Sequence, residues 1–209
     1  VSLDPAEAYE FSGLDLNNNT YDALVEIDPV TNELVPGLSD SWSVADDGVT
    51  YTFHIRPGVT FSSGNPLRAE DAAFSLQRAI KLNKTPAFIL GQFGWTPENV
   101  DQMVTVDGEN LIIKTDKAYA PTFLYNCMTS GVASIVDRET VMANEANGDM
   151  GYEYLKVNSA GTGAYVLKSY KPNEGYVLEA RAGHWRGDAK LAKVFMQHVP
   201  EAATQRLML

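Results

Sequence analysis

The sequence has little cysteine, little basic charge and no long apolar run, and each shortage removes a class of protein. Its single cysteine, Cys127, excludes an intramolecular disulfide framework and any zinc or iron–sulfur site built from several cysteines. Lys and Arg number 16 against 27 Asp and Glu, so the net charge is −11, which disfavours nucleic acid as a partner. The apolar stretches are too short to span a bilayer, so we expect no direct membrane insertion of this chain.

The remaining composition is that of a folded globular protein. Hydrophobic residues make up 44% of the 209 residues, aromatic residues 10% and charged residues 21%, which is ordinary for a chain with a packed core. At about 100–200 residues per domain, this length fits one large domain or two small ones.

The residue types that carry catalytic chemistry do not form a catalytic pattern. His54, His184 and His198 are scattered, and none has a second ligand at the spacing of a metal site. The sequence contains no Gly-x-Ser-x-Gly or Ser-x-x-Lys motif, and Cys127 has no basic neighbour. We interpret Cys127 as a small buried hydrophobic residue, and we expect no metal, no cofactor and no enzymatic activity.

Two local patterns resemble ligand sites but fail on a physical requirement. Asp15, Asn17 and Asn19 have the offsets of a calcium loop, yet Thr20 occupies the position that needs glycine for the sharp turn. We therefore favour a polar loop that runs into a helix. The glycines of the segment 159–165 suggest a phosphate cradle, but the segment enters a strand and lacks a Walker lysine, so we favour a turn of special backbone geometry.

Hydrophobic periodicity predicts hairpins interleaved with helices. Alternation predicts three antiparallel hairpins, which pair 42–44 with 49–56, 103–106 with 111–114, and 165–170 with 176–180. The spacing of three and four residues predicts an amphipathic helix over 69–81, and Pro121 and Asp137 begin two short helices. This irregular order indicates a mixed α+β or α/β fold rather than a regular βαβ repeat.

Several segments together resemble one family. The densest run comprises LVPGLSDSWSV at 34–44, DDGVTYTFHIRPGVTF at 46–61, SGNPL at 63–67 and AEDAAFSLQR at 69–78. Shorter matches are SLDP at 2–5, YDALV at 21–25, GTGAY at 161–165 and RAGHWRG at 181–187. This pattern is similar to the extracellular solute-binding proteins of family 5, which serve peptide-type ABC transporters. One departure is Arg68, where the family usually has Thr or Ser as a helix N-cap.

The resemblance implies a fold and a domain organisation. The expected fold is α/β (mixed α+β) of the periplasmic binding protein-like II class, cluster C type, with the second lobe missing. Residues 1–35 and 151–209 would form an incomplete first lobe, and residues 36–150 an inserted side domain. Because the family is well over twice this length, we expect the sequence to be an N-terminal fragment, cut near Leu209.

The resemblance also implies a function without covalent chemistry. Such a protein captures a peptide or similar small solute outside the cytoplasmic membrane and delivers it to ABC permease subunits. The expected location is the periplasm, or the cell surface as a lipoprotein. Because a scaffold does not fix a ligand, a sugar, an opine or a metal chelate stays an alternative, as do a sensory receptor and a hydrolase on the same scaffold.

Three patches are candidates for the ligand wall. The segment after the matched SLDP run contributes to that wall in the family, which assigns Tyr9, Glu10 and Phe11. The second patch is Phe93 and Trp95, which are flanked by glycines, and the third includes Met128 and Thr129. For each aromatic residue, core packing is the alternative. If Tyr9, Phe11 and Trp95 face the cleft, they are expected to be exposed in this chain.

Overall fold

The computed structural model describes residues 2–208, so Leu209, where we expected the cut, lies outside the described residues. The helices are α1 Phe11–Thr20, α2 Ala69–Leu82, α3 Phe88–Gly91, α4 Val100–Met103, α5 Pro121–Cys127, α6 Arg138–Ala143, α7 Tyr152–Leu155 and α8 Ala202–Met208. The strands are β1 Val25–Ile27, β2 Leu34–Pro36, β3 Ser39–Val44, β4 Thr50–Ile55, β5 Val104–Asp107, β6 Asn110–Lys114, β7 Tyr165–Lys171, β8 Gly175–Ala180 and β9 Lys193–Gln197. Within residues 2–208, no helix is both long and apolar enough to cross a membrane.

A four-stranded antiparallel sheet in the order β3-β4-β6-β5 carries the main core. On β4, Tyr51, Phe53 and Ile55 are buried while the intervening residues are less buried, because alternate side chains of a strand point to opposite faces. The buried stripe of α2 packs against this sheet. The mixed α/β fold and the first two predicted hairpins are confirmed.

Helix α2 matches the predicted helix, and Arg68 occupies its N-cap position as expected. Arg68 is the N-cap and its side chain caps no backbone N–H, whereas the Asp71 carboxylate accepts the Arg68 backbone N–H at 2.9 Å. The helix ends at Asn83, which takes the left-handed conformation typical of a C-terminal cap.

A second core joins the two ends of the chain. Strands β7, β8 and β9 form an antiparallel sheet that includes the predicted third hairpin. Helix α1 contacts β7, and Leu3 and Leu16 are buried in one cluster with Tyr176 and Leu178. The N-terminal segment therefore folds onto strands that lie far downstream in the sequence.

The polar loop predicted for residues 15–19 is wrong, because these residues belong to helix α1. Its buried residues Gly13, Leu16, Asn17 and Thr20 recur at helical spacing. Packing of this face overrides the weak helix propensity of the asparagines.

The interpretation of the glycine-rich turn also needs correction. Gly161 and Gly163 do not have positive φ, so no special backbone conformation explains them. A Cβ on Gly161 would lie 2.2 Å from the Thr20 carbonyl oxygen, and one on Gly163 would lie 2.4 Å from the Thr20 carbonyl carbon. Glycine is needed here because the turn approaches the end of α1 closely.

Candidate functional site

Three exposed aromatic side chains lie around the N-terminus of α1 and the start of α3. Tyr9 is 51% exposed, Phe11 94% and Phe88 59%. The rings of Tyr9 and Phe88 meet edge to face with centroids 5.9 Å apart. We call Tyr9, Phe11 and Phe88 the aromatic surface. Exposed aromatic groups of this kind are typical of surfaces that bind other molecules.

A buried ion pair fixes the segment that leads to Tyr9. Arg78 on α2 donates from both terminal nitrogens to the Asp4 carboxylate, at 2.8 and 2.5 Å, and both side chains are essentially buried. The same carboxylate accepts the Ala6 N–H, and the Asp4 carbonyl accepts the Ala8 N–H. The ion pair and this turn hold the N-terminal segment against α2. They therefore set the position of Tyr9, which follows in the chain and meets Phe88.

Glu10 has a structural role at the N-terminus of α1. It is the N-cap, and its carboxylate accepts the backbone N–H groups of Ser12 and Gly13 at 3.0 and 3.1 Å. The negative charge also lies at the favourable end of the helix dipole. The carboxylate between Tyr9 and Phe11 therefore holds the helix start in place, and it remains exposed to solvent.

A charged contact lies near the aromatic surface. The Tyr152 hydroxyl donates to the Glu7 carboxylate at 2.7 Å, and the Lys84 ammonium lies 4.3 Å from the centre of the Tyr152 ring. Burial raises the pKa of Glu7, but the hydrogen bonds from Tyr152 and Ser2 and nearby positive charge outweigh it, so the pKa is lowered. Burial and the bond to Glu7 raise the pKa of Tyr152 to about 12. At neutral pH, Glu7 is therefore ionised and Tyr152 is protonated.

Both aromatic residues of the second predicted patch are buried. Phe93 is fully buried and Trp95 is 3% exposed, so the prediction that Trp95 is exposed is wrong. Phe93 packs against Tyr119 and Phe123 at centroid distances of 5.3 and 5.4 Å, and the Trp95 Nε1–H donates to the Lys114 carbonyl at 2.7 Å. The turn that we expected to present these rings outwards, with Gly94 at φ +81°, directs them into the core instead.

The third predicted patch is split between core and surface. Met128 is fully buried, whereas Thr129 is partly exposed and donates its hydroxyl hydrogen to the Asn126 carbonyl at 2.8 Å. Thr129 lines a polar groove of about 480 Å³ that also includes Asn18 and Arg186. Cys127 is partly rather than fully buried, and burial raises the pKa of its thiol, which is therefore protonated at neutral pH.

A buried carboxylate beneath this groove is a feature that the sequence did not reveal. Asp22 accepts hydrogen bonds from the Thr162 hydroxyl at 2.7 Å, Trp185 Nε1 at 3.0 Å and Arg186 at 2.6 Å, and His184 Nε2 lies 3.6 Å away. Burial raises the pKa of Asp22, but these polar contacts and the Arg186 charge outweigh it and lower the pKa to about 2. This network fastens two downstream turns to the segment before β1.

Phe88 is the residue of the aromatic surface that the sequence reasoning missed. It belongs to the run Phe88-Ile89-Leu90, in which Leu90 is buried and Phe88 is exposed. Because all three residues are apolar, the sequence does not distinguish the exposed ring of Phe88 from the buried side chain of Leu90. Across residues 2–208, no group of three or more His, Cys, Asp or Glu side chains is arranged to hold a metal ion.

Comparisons with known proteins identify relatives over nearly the whole chain. Residues 33–209 match the model of the bacterial extracellular solute-binding proteins, family 5 Middle. The heme-binding protein A of Haemophilus influenzae is 30% identical over 204 residues, which cover 90% of this chain and 36% of that protein. The dipeptide-binding protein of Escherichia coli is 29% identical over 198 residues, covering 88% of this chain and 36% of that protein.

A solved structure has the same fold over the same part. The ABC transporter-associated periplasmic binding protein DppA from Helicobacter pylori, in complex with the peptide STSA, superposes with a TM-score of 0.82 at 25% identity. The match covers 100% of this chain and 42% of that one. The chain thus spans about two fifths of the length of the relatives it matches.

Proposed function

Because this chain belongs to the bacterial extracellular solute-binding proteins of family 5, we propose that it forms one wall of a cleft that captures a small peptide. The aromatic surface carries the proposal, since Tyr9, Phe11 and Phe88 expose large apolar rings at or just before the starts of α1 and α3. Binding sites for small molecules combine such apolar area with a few oriented polar groups. Peptides are named in the dipeptide-binding relative and in the structural neighbour DppA.

The predicted site residues take different roles in this proposal. Tyr9 and Phe11 contact the solute together with Phe88. Glu10 offers its exposed carboxylate edge while it caps α1, and Thr129 contributes a hydroxyl near the edge of the wall. Phe93, Trp95 and Met128 are buried in the core and do not contact the solute in this proposal.

The proposal includes the lobe assignment that the family resemblance implies. We assign residues 1–35 and 151–209 to the first lobe, and the core shared by Leu3, Leu16, Tyr176 and Leu178 supports this assignment. Residues 36–150 form the side domain, and the Asp4–Arg78 pair joins the two. The second lobe of the cleft would close over the aromatic surface by a hinge.

The proposed role includes delivery and location. The protein collects its solute in the periplasm, or at the cell surface as a lipoprotein, and passes it to the permease subunits of an ABC importer. A cleft that works by binding and release needs no nucleophile or metal.

Thermal unfolding of the protein at its full native length tests the ligand class. A library of di- and tripeptides is expected to raise the melting temperature, because a ligand that binds only the folded state stabilises it. Oligosaccharides and heme serve as separate arms, the latter because one relative is a heme-binding protein. A shift with either of them and none with peptides would refute the peptide assignment.

Substitution of single rings tests the site. Phe11→Ala and Phe88→Ala are expected to weaken peptide binding about tenfold or more, since each removes a ring that would be buried by the ligand. Phe195→Ala is the matched control, because Phe195 is 72% exposed on β9 and lies outside the aromatic surface. Equal loss in all three variants would contradict the assigned surface.

A further inference from the structure

An exposed turn between α6 and α7 holds the only Asn-Gly pair of the sequence. Asn147 and Gly148 are its two central residues, with φ of +55° and +78°, and the Asp149 N–H closes it by donating to the Ala146 carbonyl at 3.1 Å. Positive φ at both central positions is typical of a type I′ turn, for which Asn-Gly is a preferred sequence. Both central residues are exposed to solvent. We call residues 146–149 the Asn-Gly turn.

The two groups of this turn that can react with each other are free. Across residues 2–208, neither the side-chain amide of Asn147 nor the backbone N–H of Gly148 has a hydrogen-bond partner. A Cβ on Gly148 would meet nothing within 4 Å, so the space beside this residue is open. Asn144 and Asn158, on either side of the turn, instead donate their side-chain amides to backbone carbonyls at 2.9 and 3.0 Å. Asn147 therefore differs from these two asparagines in both its bonding and the residue that follows it.

We propose that Asn147 is a site of spontaneous deamidation for which Gly148 supplies the nucleophile. The backbone nitrogen of Gly148 loses its proton to hydroxide and forms a bond with Cγ, the side-chain carbonyl carbon of Asn147. The bond between Cγ and Nδ2 then breaks, and Nδ2 leaves as ammonia after it takes a proton from water. Water opens the resulting succinimide ring to aspartate or isoaspartate. The sum consumes one water and releases one ammonia, so no oxidant or reductant is needed.

Two features of the Asn-Gly turn favour this reaction at Asn147. Glycine has no Cβ, so its backbone nitrogen can approach the preceding side chain without steric hindrance. The nitrogen reaches Cγ when the turn opens, and the hydrogen bond that closes the turn lies at the protein surface, where local opening costs little free energy. The geometry therefore combines an unhindered nucleophile, a free amide and an accessible opening motion at one position.

The isoaspartate product is expected to weaken the contacts that follow the turn. The Asp149 carboxylate accepts three backbone N–H groups, including that of Glu153 in α7 at 2.9 Å. The Met150 carbonyl accepts a hydrogen bond from Arg78 Nε at 2.7 Å, which links this segment to the buried Asp4–Arg78 pair. Isoaspartate carries the main chain through the former side chain and adds one methylene group to it. Because this changes the path of the chain into both contacts, we expect the modified protein to unfold at a lower temperature.

Incubation of the protein at its full native length in mildly alkaline buffer, followed by tryptic digestion and mass spectrometry, tests the proposal. Peptide 139–156 contains Asn144 and Asn147, and peptide 157–168 contains Asn158, so one digest compares all three. More than half of Asn147 is expected to gain the mass difference between Asn and Asp before Asn144 or Asn158 changes. No reaction at Asn147, or reaction at Asn158 that is equally fast, overturns the proposal.

Gly148→Ala tests the nucleophile, because the added methyl group hinders the same nitrogen. Deamidation at Asn147 is expected to slow to the rate seen at Asn158, whereas Gly91→Ala, whose Cβ also meets nothing within 4 Å, should leave it unchanged. Thermal unfolding checks that both variants fold. If Gly148→Ala does not, Asn147→Gln replaces it, since glutamine would need a larger ring that forms more slowly. Undiminished reaction in the tested variant overturns the role of Gly148.

The thermal midpoint tests the structural consequence. Incubated protein, in which chromatography resolves the isoaspartate peptide from the aspartate peptide, is expected to unfold at a lower temperature than fresh protein. Asn147→Asp is the control, because it carries the new charge without the added methylene group, and its midpoint should lie closer to that of fresh protein. Equal midpoints for fresh and isoaspartate-containing protein overturn the expected destabilisation.

Discussion

Removal of the Asp4 carboxylate charge is expected to destabilise the protein strongly. Asp4→Asn keeps the side-chain shape and the oxygen that accepts the Ala6 N–H, but it leaves the Arg78 guanidinium without a counterion. The two side chains are 0% and 2% exposed, so water cannot replace the lost partner. Breaking one partner of a buried pair costs about 3–5 kcal/mol, which is a large part of a typical folding free energy of about 5–15 kcal/mol.

Urea unfolding measures this loss directly, and the thermal midpoint gives a second readout. For a chain of this size, about 2–4 °C per kcal/mol converts the expected loss into a fall of about 6–20 °C. Asp101→Asn is the control, because the Asp101–Lys81 pair has similar bond lengths of 2.7 Å but an exposed carboxylate. The exposed pair is expected to contribute at most about 1 kcal/mol.

A double variant distinguishes the destabilisation caused by an unpaired buried charge from that caused by a lost contact. Asp4→Asn with Arg78→Met removes both charges and fills the space with an apolar chain, so at least half of the lost stability is expected to return. If Asp4→Asn changes the free energy of unfolding no more than Asp101→Asn does, the reasoning about burial is wrong. If the double variant is less stable than Asp4→Asn alone, Arg78 stabilises the fold through its other contacts, such as the hydrogen bond from its Nε to the Met150 carbonyl at 2.7 Å.

Gly161→Ala is expected to lower the thermal midpoint because its methyl group would lie 2.2 Å from a carbonyl oxygen at the end of α1, whereas Gly91→Ala, with open space around its Cβ, should be tolerated. The lowered pKa of Asp22 contributes stability above about pH 4 that is lost as pH falls towards 2, so acid titration of Asp22→Asn should lack this component. Arg68→Thr should stabilise α2 by about 1 kcal/mol, since the Arg68 side chain caps none of the first N–H groups and a threonine hydroxyl can accept one; no gain in urea unfolding would contradict this.

The hairpins and helix α2 were predictable from the sequence because each buries one face. On β4, Tyr51 and Phe53 alternate with polar residues, and in α2 the residues Ala72, Leu76 and Ala79 follow helical spacing. In both cases the order of apolar and polar residues predicts which face is buried. The network around Asp22 has no such signature, because its partners Thr162, Trp185 and Arg186 come from distant segments.

The sequence alone does not predict which aromatic residues of the candidate site are exposed. Four aromatic residues illustrate this, because Phe93 and Trp95 are buried whereas Phe11 and Phe88 are exposed. Tertiary packing decides which of these rings are buried. The Asp4–Arg78 pair anchors the N-terminal segment to α2, and the chain then brings Tyr9 against Phe88 at the start of α3. A surface made by two segments so far apart in the chain depends on that buried charge pair, so stability and ligand binding should fall together when Asp4 is changed.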